Sequence, residues 1–206
     1  MYRIQRFVLG RWKVNCYVLH DDKNAVLIDA GSGTRPIIDF IRHSSLSLKA
    51  ILISHAHFDH VEGVNELKDI FHSPLYMHLE DKKLLGRMNL FRALFDKEKP
   101  VHIPTIDFDL TSVSEVTFDD LSLEVLPIPG HTPGGVCFRY GNSLFTGDTL
   151  MKGTIGRADL PGGNQELLKQ SLEKLLLFPG EITVYPGHGD IFPLKEAQQG
   201  KFKLAL

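Results

Sequence analysis

Three histidines and one aspartate fall within the segment Ser54-His55-Ala56-His57-Phe58-Asp59-His60. The segment follows Ala50 to Ile53, a short apolar run that reads as a buried strand. His55 and His57 stand two apart, so in extended backbone both side chains point to one side. Asp59 and His60 come where the chain turns into a helix and point to a neighbouring spot. One strand end thus serves two adjacent metal positions. Imidazole and carboxylate ligands without thiolate suit Zn²⁺, Fe²⁺ or Mn²⁺.

Four such residues do not complete a two-metal site. Further ligand types stand beside glycines at strand ends. Pro129-Gly130-His131-Thr132-Pro133-Gly134-Gly135 follows the strand Leu121 to Ile128. Thr146-Gly147-Asp148-Thr149 follows a strand beginning at Ser143, and Tyr185-Pro186-Gly187-His188-Gly189-Asp190 follows one beginning at Ile182. Each turn holds one His or Asp where backbone can approach closely. Any one alone is an ordinary turn residue; with the first motif, in this order, they describe an active site.

The elements that position these residues follow from patterning. Tyr2 to Leu9, Val14 to His20 and Ala25 to Asp29 read as strands, then Asp29 to Gly33 as a turn. Pro36 starts a helix whose apolar face is Ile37, Ile38, Phe40 and Ile41. A second helix is expected from about Val61 to Phe71, then a strand near Leu75 to Met77. Within Asp81 to Lys99, Leu84, Met88, Phe91 and Phe95 form a helical stripe. The stripe packs on the core, or else part of it walls a substrate pocket or forms a homodimer contact. Val101 to Thr111 reads as loop. The second half repeats the pattern with strands at Glu115 to Phe118, Leu121 to Ile128, Val136 to Tyr140 and Ser143 to Thr146. A helix from about Asn164 to Leu177 and a strand from Ile182 to Tyr185 complete it. With no low-complexity linker, residues 1–206 are expected to form one domain. Two similar halves suggest two packed sheets with helices outside.

Composition bounds the function. The chain has 206 residues, 43% hydrophobic and 23% charged, with 23 Lys and Arg against 25 Asp and Glu. A net charge of −2 argues against nucleic acid or anionic membrane as partner. No apolar run is long enough to cross a bilayer, and Met1 to Arg6 does not read as a secretory signal. Cys16 and Cys137 read as buried reduced thiols, so a cytoplasmic location is expected. Of the ten histidines, His20, His43, His72, His78 and His102 lie outside the motifs and read as surface or core residues. Trp12 reads as a packing residue at a hairpin tip, or else its loop approaches the site.

With its H-x-H-x-D-H motif and later glycine turns, the chain resembles the metallo-β-lactamase-fold hydrolases over nearly its whole length. The resemblance implies an α/β fold, an αββα sandwich of two mixed β-sheets with helices on the outer faces. It implies two divalent ions, zinc first, with iron or manganese as alternatives. Residue by residue, one ion would take His55, His57, His131 and Asp148. The other would take Asp59, His60, Asp148 and His188, with Asp148 bridging. Gly147-Asp148-Thr149-Leu150 and Gly156-Arg157-Ala158-Asp159-Leu160-Pro161-Gly162-Gly163 are most similar to the short, single-domain glyoxalase II group, which lacks the C-terminal helical glutathione-binding domain. That likeness implies hydrolysis of a small-molecule thioester, of the S-lactoylglutathione type, by a metal-bound hydroxide. Asp59 would orient the hydroxide and take its proton. Arg157 would contact the glutathione part unless it simply pairs with Asp159, and Lys152 is a second candidate contact.

The same ligands suit other chemistry. Persulfide dioxygenases resemble this scaffold with one iron, here on His55, His131 and Asp148. The flanks Leu160-Pro161-Gly162-Gly163 and Pro186-Gly187-His188-Gly189 resemble the thioesterases instead. Lactone or other ester hydrolysis is a further alternative. A β-lactamase would carry an export signal, and a nuclease of this superfamily a basic surface. A purely structural metal role fits poorly, since structural zinc sites are usually closed and rich in Cys.

Overall fold

The computed structural model describes residues 2–95, 97 and 99–200, and the backbone of Lys203–Leu204. The segment Asp81 to Lys99 therefore lies partly outside the described residues, at Asp96 and Glu98, while its stripe from Leu84 to Phe95 lies within them.

Strands β1 (Arg3–Leu9), β2 (Val14–His20) and β3 (Asn24–Ile28) form an antiparallel meander. Helix α1 (Arg35–His43) carries the chain to β4 (Ser47–Leu52), which lies parallel to β3. Two short helices, α2 (Phe58–Val61) and α3 (Val64–Phe71), lead to β5 (Leu75–Met77), parallel to β4. A 3₁₀ turn, α4 (Lys82–Gly86) and α5 (Met88–Phe95) precede β6 (Phe108–Asp109), which closes a six-stranded sheet. The segment read as loop thus contributes an edge strand.

The second sheet holds β7 (Glu115–Phe118), β8 (Leu121–Pro127), β9 (Val136–Tyr140) and β10 (Ser143–Gly147) as an antiparallel series. Strands β11 (Leu150–Met151) and β12 (Thr154–Ile155) form a small hairpin, followed by α6 (Gln165–Leu176). Strand β13 (Thr183–Pro186) pairs parallel to β10, and β14 (Phe192–Pro193) completes the sheet. Helix α7 (Leu194–Gln199) follows, and β15 (Lys203–Leu204) joins the small hairpin.

Central strands are apolar on both faces because each face meets another layer. In β2, Cys16 and Val18 pack with Ile37, Ile41 and Leu67 of the outer helices. The intervening Tyr17 and Leu19 pack with Leu123 and Phe138 of the second sheet. In β9, Val136 and Phe138 face the first sheet, whereas Cys137 packs with Leu168, Leu172 and Leu175 of α6. Those α6 residues recur at helical spacing, and Asn164 caps the helix by accepting the Leu167 N–H at 3.0 Å. The result is the αββα order. Cys16 and Cys137 are free and buried.

The helix expected over Val61–Phe71 is divided. Gly63 donates its N–H to the Ala30 carbonyl at 2.8 Å. A Cβ on Gly63 would lie 2.4 Å from Thr34 Cγ2 and 2.5 Å from the Gly31 oxygen. The chain breaks there to dock against the turn after β3, and Phe58–Val61 becomes a separate helical turn that presents Asp59 and His60.

Because β8 and β10 are both antiparallel to β9, they run the same way, and β13 runs with β10. Their C-terminal ends therefore share one edge of the sheet. The loops that leave this edge carry His131, Asp148 and His188. The loop after β4 meets them there, fastened by the Val136 N–H to the Ser54 carbonyl at 2.8 Å.

Candidate metal centre

Every histidine and aspartate singled out in the motifs reaches this edge. Three overlapping groups have ligand atoms within 4.8 Å of one another: His55 with His57 and His131; His55 with His60 and Asp148; and Asp59 with His60 and His188. Asp148 lies at the centre. Its Oδ2 is 3.9 Å from His55 Nε2, 3.8 Å from His131 Nε2 and 3.5 Å from His188 Nε2. Its Oδ1 is 3.5 Å from His60 Nε2. Asp59 Oδ2 stands 3.3 Å from His188 Nε2.

Two observations test whether metal fits. Four ligands at tetrahedral zinc stand about 3.3 Å apart. His55 Nε2 and His57 Nδ1 are 3.1 Å apart, and His60 Nε2 and His188 Nε2 are 3.3 Å apart. Moreover, His131 Nε2 and Asp148 Oδ1 are buried without a hydrogen-bond partner. A native interior seldom tolerates such orphans unless an ion or water completes them. The donor set, five imidazoles and two carboxylates without thiolate, suits a hard or borderline divalent cation.

Neighbouring groups orient the rings. His60 Nδ1 is 2.9 Å from Asp29 Oδ2, His55 Nδ1 is 3.0 Å from Ser54 Oγ, and His131 Nδ1 is 2.7 Å from the Arg157 carbonyl. Each contact occupies the Nδ1 side and turns Nε2 toward the cluster. Asp29 also accepts the Ser54 N–H and hydroxyl, both at 2.8 Å. It has φ of 59°, which Asp tolerates better than most residues. In the sequence Asp29 reads as the end of a strand and the start of a turn, and a lone carboxylate ending an apolar strand is the signal of its supporting role.

Asp81 is a second residue the sequence did not mark. It is fully buried and accepts the Ala56 N–H at 2.9 Å, the Thr132 hydroxyl at 2.9 Å and the Gly134 N–H at 2.6 Å. It thereby ties the first histidine loop to the His131 loop. Burial pushes its carboxyl up, and the three donors offset part of that.

Electrostatics divide the cluster. Burial, with His131 beside it, pushes His57 down to about 3, and burial with His60 holds His55 well below the usual range. Those two imidazoles are kept neutral, the form that ligates metal. Burial alone would lower His60, but Asp148 and Asp29 hold it well above its usual value. Burial would likewise raise Asp148, yet His188 and His60 keep it ionised. Burial would also raise Asp59, and His60 with His188 overcomes it.

The loop of His188 approaches so closely that only glycine fits before it. A Cβ on Gly187 would stand 2.3 Å from Asp148 Oδ1 and 2.7 Å from His60 Cε1. We expect Gly187→Ala to displace Asp148 and lower metal affinity about 10-fold or more, by analogy with other disturbed ligand supports. Competition with a chromophoric chelator measures this; unchanged affinity would show that the loop yields freely.

A cleft of about 270 Å³ opens onto the centre. His57, Asp59, His131, Asp148 and His188 are on its surface, with Arg157 at one side. Trp12, read as a hairpin-tip packing residue, instead helps to wall the cleft, because its ring meets Phe58 and Phe95 edge-on at 6.0 and 6.4 Å. The stripe divides: Leu84 and Met88 are buried in the core, whereas Phe91 and Phe95 reach the cleft. Arg157 forms a bidentate pair with Asp159 at 2.7 and 2.6 Å while bordering the cleft. Lys152 lies 3.7 Å from Glu196 and borders a separate shallow depression beside His188. No helix among the described residues is long and apolar enough to cross a membrane.

A model of the metallo-beta-lactamase superfamily matches residues 9–188. The chain is 34% identical over 202 residues to the probable metallo-hydrolase YqgX of Bacillus subtilis, covering 96% of each. It is 36% identical over 185 residues to the hydroxyacylglutathione hydrolase GloC of Haemophilus influenzae, covering 85% of each. Among solved structures, the BLEG-1 B3 metallo-beta-lactamase superposes with a TM-score of 0.89 at 32% identity, over 96% of this chain and 100% of that one. TTHA1623 in a di-iron-bound form gives 0.85 at 33% identity, over 95% and 98%.

Proposed function

This chain belongs to the metallo-beta-lactamase superfamily, and from that premise we propose that its metal centre hydrolyses an acyl thioester of a small thiol carrier, of the S-lactoylglutathione type. One ion would be held by His55, His57, His131 and Asp148. A second would be held by Asp59, His60, His188 and the shared Asp148. When bound, the ions lower the pKa of water toward 7 and polarise the substrate carbonyl. Asp59, ionised and facing the cleft, orients the attacking water and accepts its proton at a carboxylate oxygen. Arg157 borders the cleft with an exposed guanidinium, suited to a carboxylate of the carrier.

One observation carries this reading. Among the described residues lining the cleft, the titratable side chains are five of the seven expected ligands and Arg157. Apart from Asp59, which takes the proton of the water, none can serve as a general acid. A thiol has a pKa of about 8.5 and departs as thiolate unaided. An amine expelled from an amide needs a proton delivered to nitrogen. The likeness to GloC points the same way.

The test is metal analysis of the purified protein together with its rate on S-D-lactoylglutathione. Two ions per chain and thioester cleavage are expected. One iron per chain, with oxygen uptake on glutathione persulfide and no thioester cleavage, would overturn the reading in favour of a dioxygenase. Arg157→Ala is expected to raise KM about 10-fold with kcat retained, as loss of an exposed charge-assisted contact worth about 1.4 kcal/mol. Steady-state kinetics reads this directly, and an unchanged KM would leave Arg157 as the partner of Asp159 alone.

A further inference from the structure

The two sides of the cleft differ in chemistry. The first half of the chain supplies Trp12 from the β1–β2 hairpin, Phe58 from α2, and Phe91 and Phe95 from α5. Their rings form a continuous array. Phe58 and Phe95 stack at 6.3 Å with planes 6° apart, Phe91 and Phe95 stack at 6.3 Å, and Trp12 meets both Phe58 and Phe95 edge-on. The second half supplies Met151, Ile155 and Leu160 and, at one point, Arg157, the one cleft-lining cation outside the expected ligand set among the described residues.

This wall is only part-covered. Trp12 is 42% exposed and Phe95 45% exposed. Large aromatic side chains left open beside a site gain by covering from an apolar ligand. The wall itself provides no side-chain acceptor and, beyond the Trp12 indole N–H, no donor for a hydroxyl on the acyl group. A hydroxyl on the carbon next to the scissile carbonyl would stay beside Asp59 and Asp148 and gain nothing from the wall, whereas the carbons beyond it would be covered.

We propose that the enzyme's preferred substrates are thioesters with an apolar acyl chain of several carbons, laid on the Trp12–Phe58–Phe95 wall, while Arg157 takes a carboxylate of the thiol carrier. This rests on the thioesterase reading above and narrows its substrate class away from the small hydroxyacyl group. The scissile carbonyl then lies between the two walls, over the metal centre at the cleft floor. Arg157 would take the carrier through the Nη1 side left by its pair with Asp159, and the acyl chain would lie on the aromatic wall.

The experiment uses the metal-loaded full chain and glutathione thioesters with acetyl, butyryl, hexanoyl and lactoyl groups, keeping the carrier constant. On the cost of hydrating a methylene, about 0.8 kcal/mol, kcat/KM is expected to rise up to about 15-fold for each carbon pair, to the length the wall covers. Hexanoyl should exceed lactoyl. Trp12→Ala and Phe95→Ala should each flatten the hexanoyl-to-acetyl ratio. A binding measurement independent of turnover is available because Trp12 is the single tryptophan of the chain. Hexanoate should shift Trp12 emission to the blue at lower concentration than lactate or acetate does. Cleavage that is fastest for lactoyl and flat or falling with chain length, with no selective Trp12 response to hexanoate, would overturn this inference and leave the thioesterase reading standing. Failure to cleave any of the four thioesters would overturn both.

Discussion

Asp148→Ala is expected to abolish most turnover, by on the order of 1,000-fold, and to reduce metal content together with it. The physical ground is the central position of this carboxylate. It faces His55, His60, His131 and His188 at 3.5 to 3.9 Å, and one of its buried oxygens has no hydrogen-bond partner. Without that carboxylate the cluster loses its central negative charge, and each of the two proposed metal positions would be one ligand short. Elemental analysis and steady-state rates on the same preparation measure the two losses together. His43→Ala serves as the comparison, since His43 is exposed and contacts only the Asp39 carbonyl on its own helix. An Asp148→Ala protein with full metal and ordinary turnover would remove Asp148 from the centre.

Asp81→Ala is expected to act through the frame instead. Its carboxylate binds two backbone N–H groups and one hydroxyl that belong to two different ligand loops. Hydrogen bonds to a charged acceptor each contribute about 1.5–3 kcal/mol, and the donors left behind would be buried and unpaired. Allowing for non-additivity, a loss of about 4 kcal/mol is expected, which for a chain of this size lowers Tm by about 10 °C. Calorimetry on the metal-free protein isolates this effect from metal binding. Titration with zinc should then show affinity lowered by about 10- to 100-fold, the usual consequence of disturbing ligand supports. A metal-free Tm within about 2 °C of the parent, no more than one surface substitution does, would show that the two loops are held elsewhere.

Much of the site was legible before any coordinates. His55, His57, Asp59 and His60 could be recognised because they are adjacent in the chain, and local backbone geometry sorts them onto two spots. His131, Asp148 and His188 were weaker signals, each one residue in a glycine turn. Their common destination became visible only in the strand directions, since β8, β10 and β13 end at one edge. The strands of the core were recognisable by their apolar runs, and the α6 stripe by its period. The division at Gly63 was not, because it depends on the approach of the Thr34 side chain and the Gly31 oxygen from 30 residues away in sequence.

The residues that support the ligands were the least legible. Asp29 reaches His60 across 31 positions, and Asp81 reaches Gly134 across 53. A carboxylate that satisfies distant backbone donors leaves no periodic mark near itself in the chain. Trp12 is ambiguous in the sequence for the same reason. In the hairpin it resembles any tip residue, and only the docking of α2 and α5 gives it Phe58 and Phe95 as neighbours.

By itself, then, the sequence determined the ligand chemistry and the layering. Side-chain type decides which metals can be held, and hydrophobic period decides which faces are buried. Tertiary structure decided the gathering of four histidines around Asp148, the buried carboxylates that aim the rings and the aromatic wall of the cleft. Those properties depend on distances between residues far apart in the chain, and such distances exist only once the two sheets have packed.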